Sequence, residues 1–206
     1  MKRLSIIATV AAISILQTSC ASPSTGNSAS PSSPVGSQPP SSVSETPSSG
    51  DMRTGLGFVS TTSESSAASA ETAGNAKFNV VACAVSVDAD GKILDIKFDT
   101  LQASVGFDIS GALTGDVTTE LKTKKELGDA YGMKAVSGIK KEWYEQIAAL
   151  EDWMRGKTVE DVLAMKVTEE DPEHKDVPDE EDLKTSVTIS VTDQLRALEK
   201  AYANTK

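Results

Sequence analysis

Apolar and polar residues in the middle of the chain alternate in the way that is typical of antiparallel β-strands. Residues 78–87 are rich in β-branched and small apolar side chains, and in residues 93–100 charged positions alternate with Leu, Ile and Phe. Asp88–Lys92 lies between these runs and contains an Asp-Gly dipeptide, which is favoured in tight hairpin turns. A calcium loop is the alternative, but Gly91 occupies the fourth loop position rather than the sixth. The pattern therefore predicts a β-hairpin.

Shorter segments on both sides of this hairpin predict further β-structure. Residues 52–60 indicate a short first strand, and residues 61–74, which are rich in Ser, Ala and Thr, indicate a loop. Residues 103–121 alternate in part and indicate another strand with its turns. We therefore expect the first half of the folded region to be mainly β.

A helical spacing replaces this alternation in the second half of the chain. Four apolar residues fall at positions i, i+4, i+7 and i+11, and Gly156 follows where a C-terminal cap is expected. We expect the first of them, Trp143, to lie in the core; a sugar-binding platform formed with Tyr144 is the alternative. The four residues are Trp143, Ile147, Leu150 and Met154.

The rest of the chain predicts several short elements. Thr158 is expected to cap a short helix that runs through Met165. Residues 169–182 contain nine acidic residues and indicate a solvated loop, with a weak cation site as the alternative. Residues 186–191 alternate as a strand, and Asp193 is expected to cap a last helix. Because strands come first and helices follow, we predict an α+β fold, an antiparallel sheet with helices packed mainly from the C-terminal half.

The first twenty residues have the zones of a secretion signal. Two positive charges precede Leu4–Leu16, whose 13 uncharged residues span about 20 Å as a helix, too short for a hydrocarbon core of roughly 30 Å. The residues before Cys20 resemble the lipobox of bacterial lipoproteins, although Gln17 stands where that family usually carries Leu. The resemblance implies that residues 1–19 are removed and that Cys20 is acylated, with palmitate among the acyl chains. An ordinary signal peptide is the alternative.

A segment of low complexity follows Cys20. Between residues 21 and 50, 23 of 30 residues are Ser, Pro, Thr or Gly, and the only charge is Glu45. Such a composition buries too little apolar surface to offset the entropy that the chain loses on folding. We therefore predict that residues 20–51 are a disordered tether and that residues 52–206 form a single domain. The lipid anchor would hold this domain at the extracytoplasmic face of the cell membrane.

Charge and composition exclude several classes of function. The formal net charge is −10, and removal of residues 1–19 takes away two positive charges and makes it −12, so nucleic-acid binding is not expected. The only histidine is His174, in the acidic loop, so neither a His-based metal cluster nor a conventional Ser-His-Asp triad is predicted. Cys83 lies in an apolar run and is expected to be buried, with a redox thiol as the alternative. We predict no catalytic residue and no metal ligand.

Several motifs together resemble the FMN-binding domains of respiratory-complex flavin subunits and extracytoplasmic flavoproteins. Residues 85–98 look like the opening hairpin of that family, and Leu127-Gly128-Asp129 is similar to its Gly-Leu-Gly-Asp turn. Residues 182–188 resemble its Asp-x-x-Ser/Thr-Gly-Ala-Thr motif, with Ser186 in place of Gly and Val187 in place of Ala. The aromatic and Gly-Lys positions of the family are matched by Trp143-x-x-Gln146 and Gly156-Lys157.

This resemblance implies an FMN-binding-domain-like fold and names FMN as the one cofactor to test. In members with covalent flavin, the last Thr of the motif is esterified to the FMN phosphate. Thr188 occupies that place here, and Asp182, Thr185 and Gly128 occupy other matched positions.

Two functions stay open at this point. The first is a non-catalytic surface domain that binds a small ligand or an envelope protein; the second is an extracytoplasmic electron carrier with FMN on Thr188. The first is favoured because side chains at Ser186 and Val187 would obstruct a close approach of the cofactor to the backbone. The chain also resembles surface lipoproteins of low-GC, cell-wall-rich bacteria in residues 126–134, 141–146 and 184–191, which indicates a location rather than an activity.

Overall fold

The computed structural model describes residues 52–171 and 174–206 of the chain. The predicted signal segment 1–19, the acylated Cys20 and the tether 20–51 lie outside the described residues. The described part is an α+β fold built on a four-stranded antiparallel sheet of order β1-β2-β3-β4, which confirms the predicted fold class. The strands of this sheet are β1 (Arg53–Thr61), β2 (Gly74–Val87), β3 (Ile93–Phe107) and β4 (Leu113–Thr114).

Most of the helical structure follows the sheet in sequence. A 3₁₀ turn at Gly128–Tyr131 separates the first two short helices, and a small antiparallel pair of strands lies between the fourth and fifth helices. None of the helices in the described ranges is both long enough and apolar enough to cross a membrane. The helices are α1 (Lys124–Leu127), α2 (Met133–Val136), α3 (Trp143–Met154), α4 (Val159–Leu163) and α5 (Thr192–Ala203), and the small strands are β5 (Val167–Thr168) and β6 (Val177–Pro178).

The predicted hairpin joins β2 to β3. The Asp88 carboxylate accepts hydrogen bonds from the N–H groups of Asp90 (3.0 Å) and Lys92 (2.8 Å), and Gly91 has a φ of +77°. Glycine reaches this left-handed conformation without strain. The carboxylate therefore stabilises the turn as in an Asx turn, together with backbone hydrogen bonds between Asp88 and Lys92 (3.0 Å) and between Gly91 and Asp88 (3.2 Å).

One face of the sheet forms the core together with α3 and α5. Val81, Cys83 and Val85 of β2 and Ile96 and Phe98 of β3 are buried on this face, as the alternation predicts. The four apolar residues that predicted α3 are all buried as well, so Trp143 is a core residue. Burial raises the pKa of the Cys83 thiol to about 12, which keeps it protonated and confirms it as a small buried apolar group.

Helix α5 lies against β1 at two glycines. A Cβ at Gly55 or Gly57 would overlap backbone atoms of Ala201 and Ala197, so the helix approaches the strand more closely than any side chain would allow. The Lys200 amino group donates to the carbonyl of Phe58 at 3.0 Å. These contacts fix the end of the chain on the outermost strand of the sheet.

Two predicted β elements differ in the structure. The alternation after residue 102 continues β3 as far as Phe107, so it is not a separate strand, and β4 has only two residues. The predicted strand at 186–191 was wrong: Val187, Ile189 and Val191 are buried in alternation, but no neighbouring strand pairs with this segment among the described residues. Instead, the N–H of Val187 donates to the carbonyl of Leu183 at 2.8 Å.

The start of α4 agrees with the sequence, whereas its end and the cap of the last helix differ. Thr158 caps α4 through a bond from the N–H of Asp161 at 3.1 Å, although α4 ends at Leu163, two residues before Met165. The expected cap of α5 by Asp193 was wrong, because α5 begins at Thr192 and Asp193 lies in its first turn. An acidic residue there still interacts favourably with the helix dipole. The predicted acidic loop, residues 169–182, is not wholly solvated. It contains strand β6, which pairs with β5 and whose residues Val177 and Pro178 are buried.

Candidate functional site

A cleft begins where β2 and β3 extend beyond the helices that cover the core. Its floor is the continuation of the inner sheet face, on which Asn79 and Gln102 pair across the two strands. The cleft has two cavities of about 410 and 320 Å³, and they adjoin because Met133, His174 and Ile189 line both. Cavities of this size accommodate small ligands.

The smaller cavity, which we call the Thr188 lobe, is built around a buried amide. Gln146 of α3 is fully buried, and its Oε1 accepts hydrogen bonds from the N–H (2.9 Å) and the hydroxyl (3.4 Å) of Thr188. These bonds take the place of a partner strand, and they hold Thr188 at the wall of the lobe. The same lobe is lined by the acidic residues Glu170 and Asp171, which makes it unfavourable for an anion.

The larger cavity, which we call the Lys124 lobe, contains a lysine with an unusual environment. A capping box fixes the start of α1, because Thr123 Oγ1 accepts from the N–H of Glu126 at 3.2 Å and the Glu126 carboxylate accepts from the N–H of Thr123 at 2.7 Å. Lys124 follows directly, and its amino group lies 4.8 Å from the ring centre of Tyr131 and 5.3 Å from that of Trp143. Its side chain therefore points at the lobe between two aromatic rings.

Loss of water around this amino group lowers its pKa. Desolvation brings the pKa of Lys124 down to about 8, and the negative charge of Glu64 opposes the shift only in part. None of the described carboxylates lies within 4 Å of the amino group as an ion-pair partner. Lys124 is thus a poorly solvated cation beside a cavity, and the two rings compensate only part of the lost hydration.

Each lobe also contains a buried hydroxyl with no hydrogen-bond partner. Within the described part of the chain, Thr100 Oγ1 and Ser137 Oγ are the buried side-chain oxygen or nitrogen atoms that lack one. Thr100 lines the Lys124 lobe and Ser137 lines the Thr188 lobe. Buried polar groups in folded proteins are nearly always hydrogen-bonded, so a water molecule or a ligand that enters the cleft would supply the missing partner of each hydroxyl.

The residues that the family resemblance selected are only partly brought together. Thr188 lies in the cleft wall, close to Gln146 and on the same cleft as Trp143. Asp182 and Thr185 are exposed in the turns that precede Thr188 and line neither lobe. Gly128 begins the 3₁₀ turn with a φ of +52° and has open space where a Cβ would be, so its role there is conformational.

The remaining candidate side chain from the sequence is His174, in the acidic loop. His174 lines both lobes, and its Nδ1 lies 2.8 Å from Asp171 Oδ2. The described ranges 52–171 and 174–206 contain no group of three or more His, Cys, Asp or Glu side chains arranged to hold a metal ion.

Sequence reasoning missed the three residues that characterise the cleft. Lys124 stands in a run of lysines that looks like an ordinary solvated surface, and Thr100 and Ser137 belong to no motif. The capping-box pattern at Thr123 and Glu126 could have predicted where α1 begins. Nothing in the local sequence indicates that Tyr131 and Trp143 enclose the lysine, because that contact joins separate elements.

Comparisons with known proteins give one partial similarity. A chlorophenol reductase of Desulfitobacterium hafniense is 35% identical over 98 residues, which cover 41% of this chain and 29% of the reductase. The chain therefore spans less than a third of the length of that relative. No family model matches the chain. No solved structure matches it either.

Proposed function

We propose that this protein is an extracytoplasmic, lipid-anchored binding protein that holds a small ligand in the cleft without transforming it. The observation that carries the proposal is the pair of buried, unpartnered hydroxyls of Thr100 and Ser137, one in each lobe. An unsatisfied buried hydroxyl costs roughly 1–3 kcal/mol, which a ligand that hydrogen-bonds to it recovers. The cleft residues supply hydrogen-bonding and charged groups, and binding is the function that these groups support.

The ligand proposal is tested by filling the cleft. In Gln102→Trp a large side chain on the cleft floor would occupy the Lys124 lobe, whereas in Leu101→Trp the neighbouring side chain points to the opposite face of the same strand. Native mass spectrometry of the mature protein, purified in detergent from its host, should show a bound small molecule that is released on denaturation. The molecule should be absent from Gln102→Trp and present in Leu101→Trp. Wild-type protein that carries no small molecule would contradict the proposal and leave an envelope protein as the partner.

The anchor is proposed from the sequence around Cys20. Acylation there would place the domain outside the cell membrane on a tether of about 30 residues. In its host, Cys20→Ala is expected to leave the membrane fraction, whereas Cys83→Ala should remain membrane-bound. Mass spectrometry of the mature N-terminal peptide should show the acyl chains on Cys20. An unmodified N-terminus that begins at another residue would refute this part of the proposal.

A second candidate function is an electron carrier with FMN attached to Thr188. It is favoured by the position of Thr188 in the cleft wall and by the partial similarity to a protein named a reductase. FMN, when bound, would supply the redox chemistry; Thr188 would hold its phosphate and Gln146 would orient the threonine. This candidate ranks second because Glu170 and Asp171 line the same lobe and would repel a phosphate.

The flavin candidate has a simple test. Protein purified from its host would be yellow, would keep its colour after denaturation, and would carry the mass of FMN on the peptide that contains Thr188. Thr188→Ala should abolish the colour, and Thr185→Ala, an exposed residue outside both lobes, should not. A colourless wild-type protein with an unmodified Thr188 would eliminate the carrier and leave the binding function in place.

A further inference from the structure

The Lys124 lobe contains a positive charge that the described residues do not neutralise. The amino group of Lys124 lies over the rings of Tyr131 and Trp143 at 4.8 and 5.3 Å, and desolvation lowers its pKa to about 8. Although the formal net charge of the chain is −10, none of the described carboxylates forms an ion pair with this lysine. The two cation–π contacts replace only part of the hydration that the ammonium group has lost.

The acidic groups around the lobe are bonded to other residues. Glu64 forms an ion pair with Lys77 at 2.9 Å, and Asp193 forms one with Arg196 at 3.2 Å. The buried Glu142 carboxylate accepts from the N–H groups at the start of α2, at 2.9 and 3.0 Å. The titratable and charged groups that face the lobe or lie next to it are Glu64, Lys77, Tyr131, Glu142, Asp171, His174, Asp193 and Arg196.

Hydrogen-bond donors accompany the charge. The unpartnered hydroxyl of Thr100 belongs to this lobe, and the side-chain amides of Gln102 and Gln194 line it as well. A lysine together with a hydroxyl and amide groups is a typical donor set for an oxyanion. By contrast, the carboxylates in the cleft belong mainly to the Thr188 lobe.

We infer that the Lys124 lobe binds the anionic group, a phosphate or a carboxylate, of a small-molecule ligand, with the Lys124 amino group as its counter-charge and the Thr100 hydroxyl as a hydrogen-bond donor. The inference rests on the proposed binding function and names the chemical class of its ligand. The anion completes the lysine's incomplete electrostatic environment, and it supplies the acceptor that Thr100 lacks. The uncharged part of the ligand extends into the adjoining Thr188 lobe.

The experiment uses the mature protein with ¹³C-labelled lysine and two probes, sodium phosphate and sodium acetate, at constant ionic strength. Either probe, on binding, should raise the pKa of Lys124 above 8, as followed by the NMR chemical shift of its Cε. The Cε signal of the exposed Lys122 serves as the control and should not respond to the probe. Phosphate alone producing the shift would identify a phosphate-bearing ligand, and acetate alone a carboxylate-bearing one. If neither probe moves the Lys124 signal, the inference is overturned.

Variants separate this inference from the function on which it rests. Calorimetry should show that Lys124→Met binds the effective anion at least tenfold more weakly than wild type, that Lys122→Met binds it equally well, and that Lys124→Arg keeps most of the affinity. Equal binding by Lys124→Met would refute the inference. A small molecule from the host that is retained by Lys124→Met and lost from Gln102→Trp would refute the anion site and leave the proposed function standing. Retention by both variants would refute the proposed function itself.

Discussion

The two ends of the inner sheet face belong to the same strands and yet have opposite characters. At the core end, Cys83 and Phe98 face each other across β2 and β3 under the helices, and both are fully buried. At the cleft end, Asn79 and Gln102 face each other in the same register, polar and in contact with an open cavity. The pairing of β2 and β3 therefore continues in the same register beyond the part of the sheet that the helices cover. The uncovered part of these strands provides the cleft with a floor of regular secondary structure.

The largest expected difference between the two ends comes from removing one side chain from each. Phe98→Ala deletes a fully buried ring and should lower the free energy of unfolding by about 3–5 kcal/mol, because the cavity it leaves cannot close completely. Gln102→Ala at the cleft end should change it by less than about 0.5 kcal/mol. Urea unfolding of both variants measures the contrast. Similar losses in the two variants would mean that the cleft floor is part of the core.

A second test concerns the free edge of β3 at the core end. The buried Glu151 of α3 accepts from the N–H of Phe98 at 2.8 Å and pairs with Lys125 at 2.6 Å and with Lys97 at 3.4 Å. Glu151→Ala would leave a buried N–H without an acceptor and should cost about 2–4 kcal/mol of unfolding free energy.

Glu151→Gln provides the matched control for this variant. It keeps an acceptor for the N–H of Phe98 but loses the charge, so it should cost less than the alanine variant. Hydrogen exchange at the amide of Phe98 should accelerate in Glu151→Ala and remain slow in Glu151→Gln. Equal exchange in the two variants would show that the carboxylate does not protect the strand edge.

The core end could be predicted from the sequence and most of the cleft could not. Alternation in β2 and β3, the Asp-Gly turn and the 3.6-residue spacing of α3 are local signals, and the structure confirms each. The segment 186–191 shows the limit of such signals. Its alternating burial is real, but a strand also needs a partner, and here the side chain of Gln146, 42 residues away, bonds to Thr188 instead.

The cleft depends on contacts between elements that carry no joint sequence signal. Thr188 was found because it belongs to a motif, whereas Lys124 acquires its character only from Tyr131 and Trp143, which later parts of the chain provide. Likewise, Thr100 continues the buried face of β3 and looks like any strand residue. Its lack of a partner is a property of the packed structure.

At the cleft end, removing a charge should stabilise the protein. Lys124→Met is expected to raise the free energy of unfolding by about 1–2 kcal/mol at pH 7, because it removes a poorly solvated ammonium group and keeps the aliphatic stem. The pKa of Lys124 is about 8 in the folded state and 10.5 ordinarily. Between these values the unfolded wild type holds more protons, so its stability rises with pH. The advantage of the variant should therefore shrink from pH 8 upward and close above pH 10.5, as measured by urea unfolding.

Lys122→Met is the control for this pH dependence. Because Lys122 is exposed, this variant should have the same free energy of unfolding as wild type across the pH range. An advantage of Lys124→Met that stayed constant up to pH 11 would show that the gain comes from packing rather than from charge. A destabilised Lys124→Met would mean that the cation–π contacts outweigh the lost hydration.

The smallest expected effect concerns the unpartnered hydroxyl at the junction of the two ends. Thr100→Val keeps the shape of the side chain and removes the buried oxygen that has no partner, so it should raise the free energy of unfolding of the ligand-free protein by about 0.5–1 kcal/mol. With the bound anion present the sign should reverse, because the hydroxyl then donates a hydrogen bond that valine cannot. Thermal unfolding with and without saturating anion measures both signs. Stabilisation of the same size in both conditions would show that Thr100 takes no part in binding.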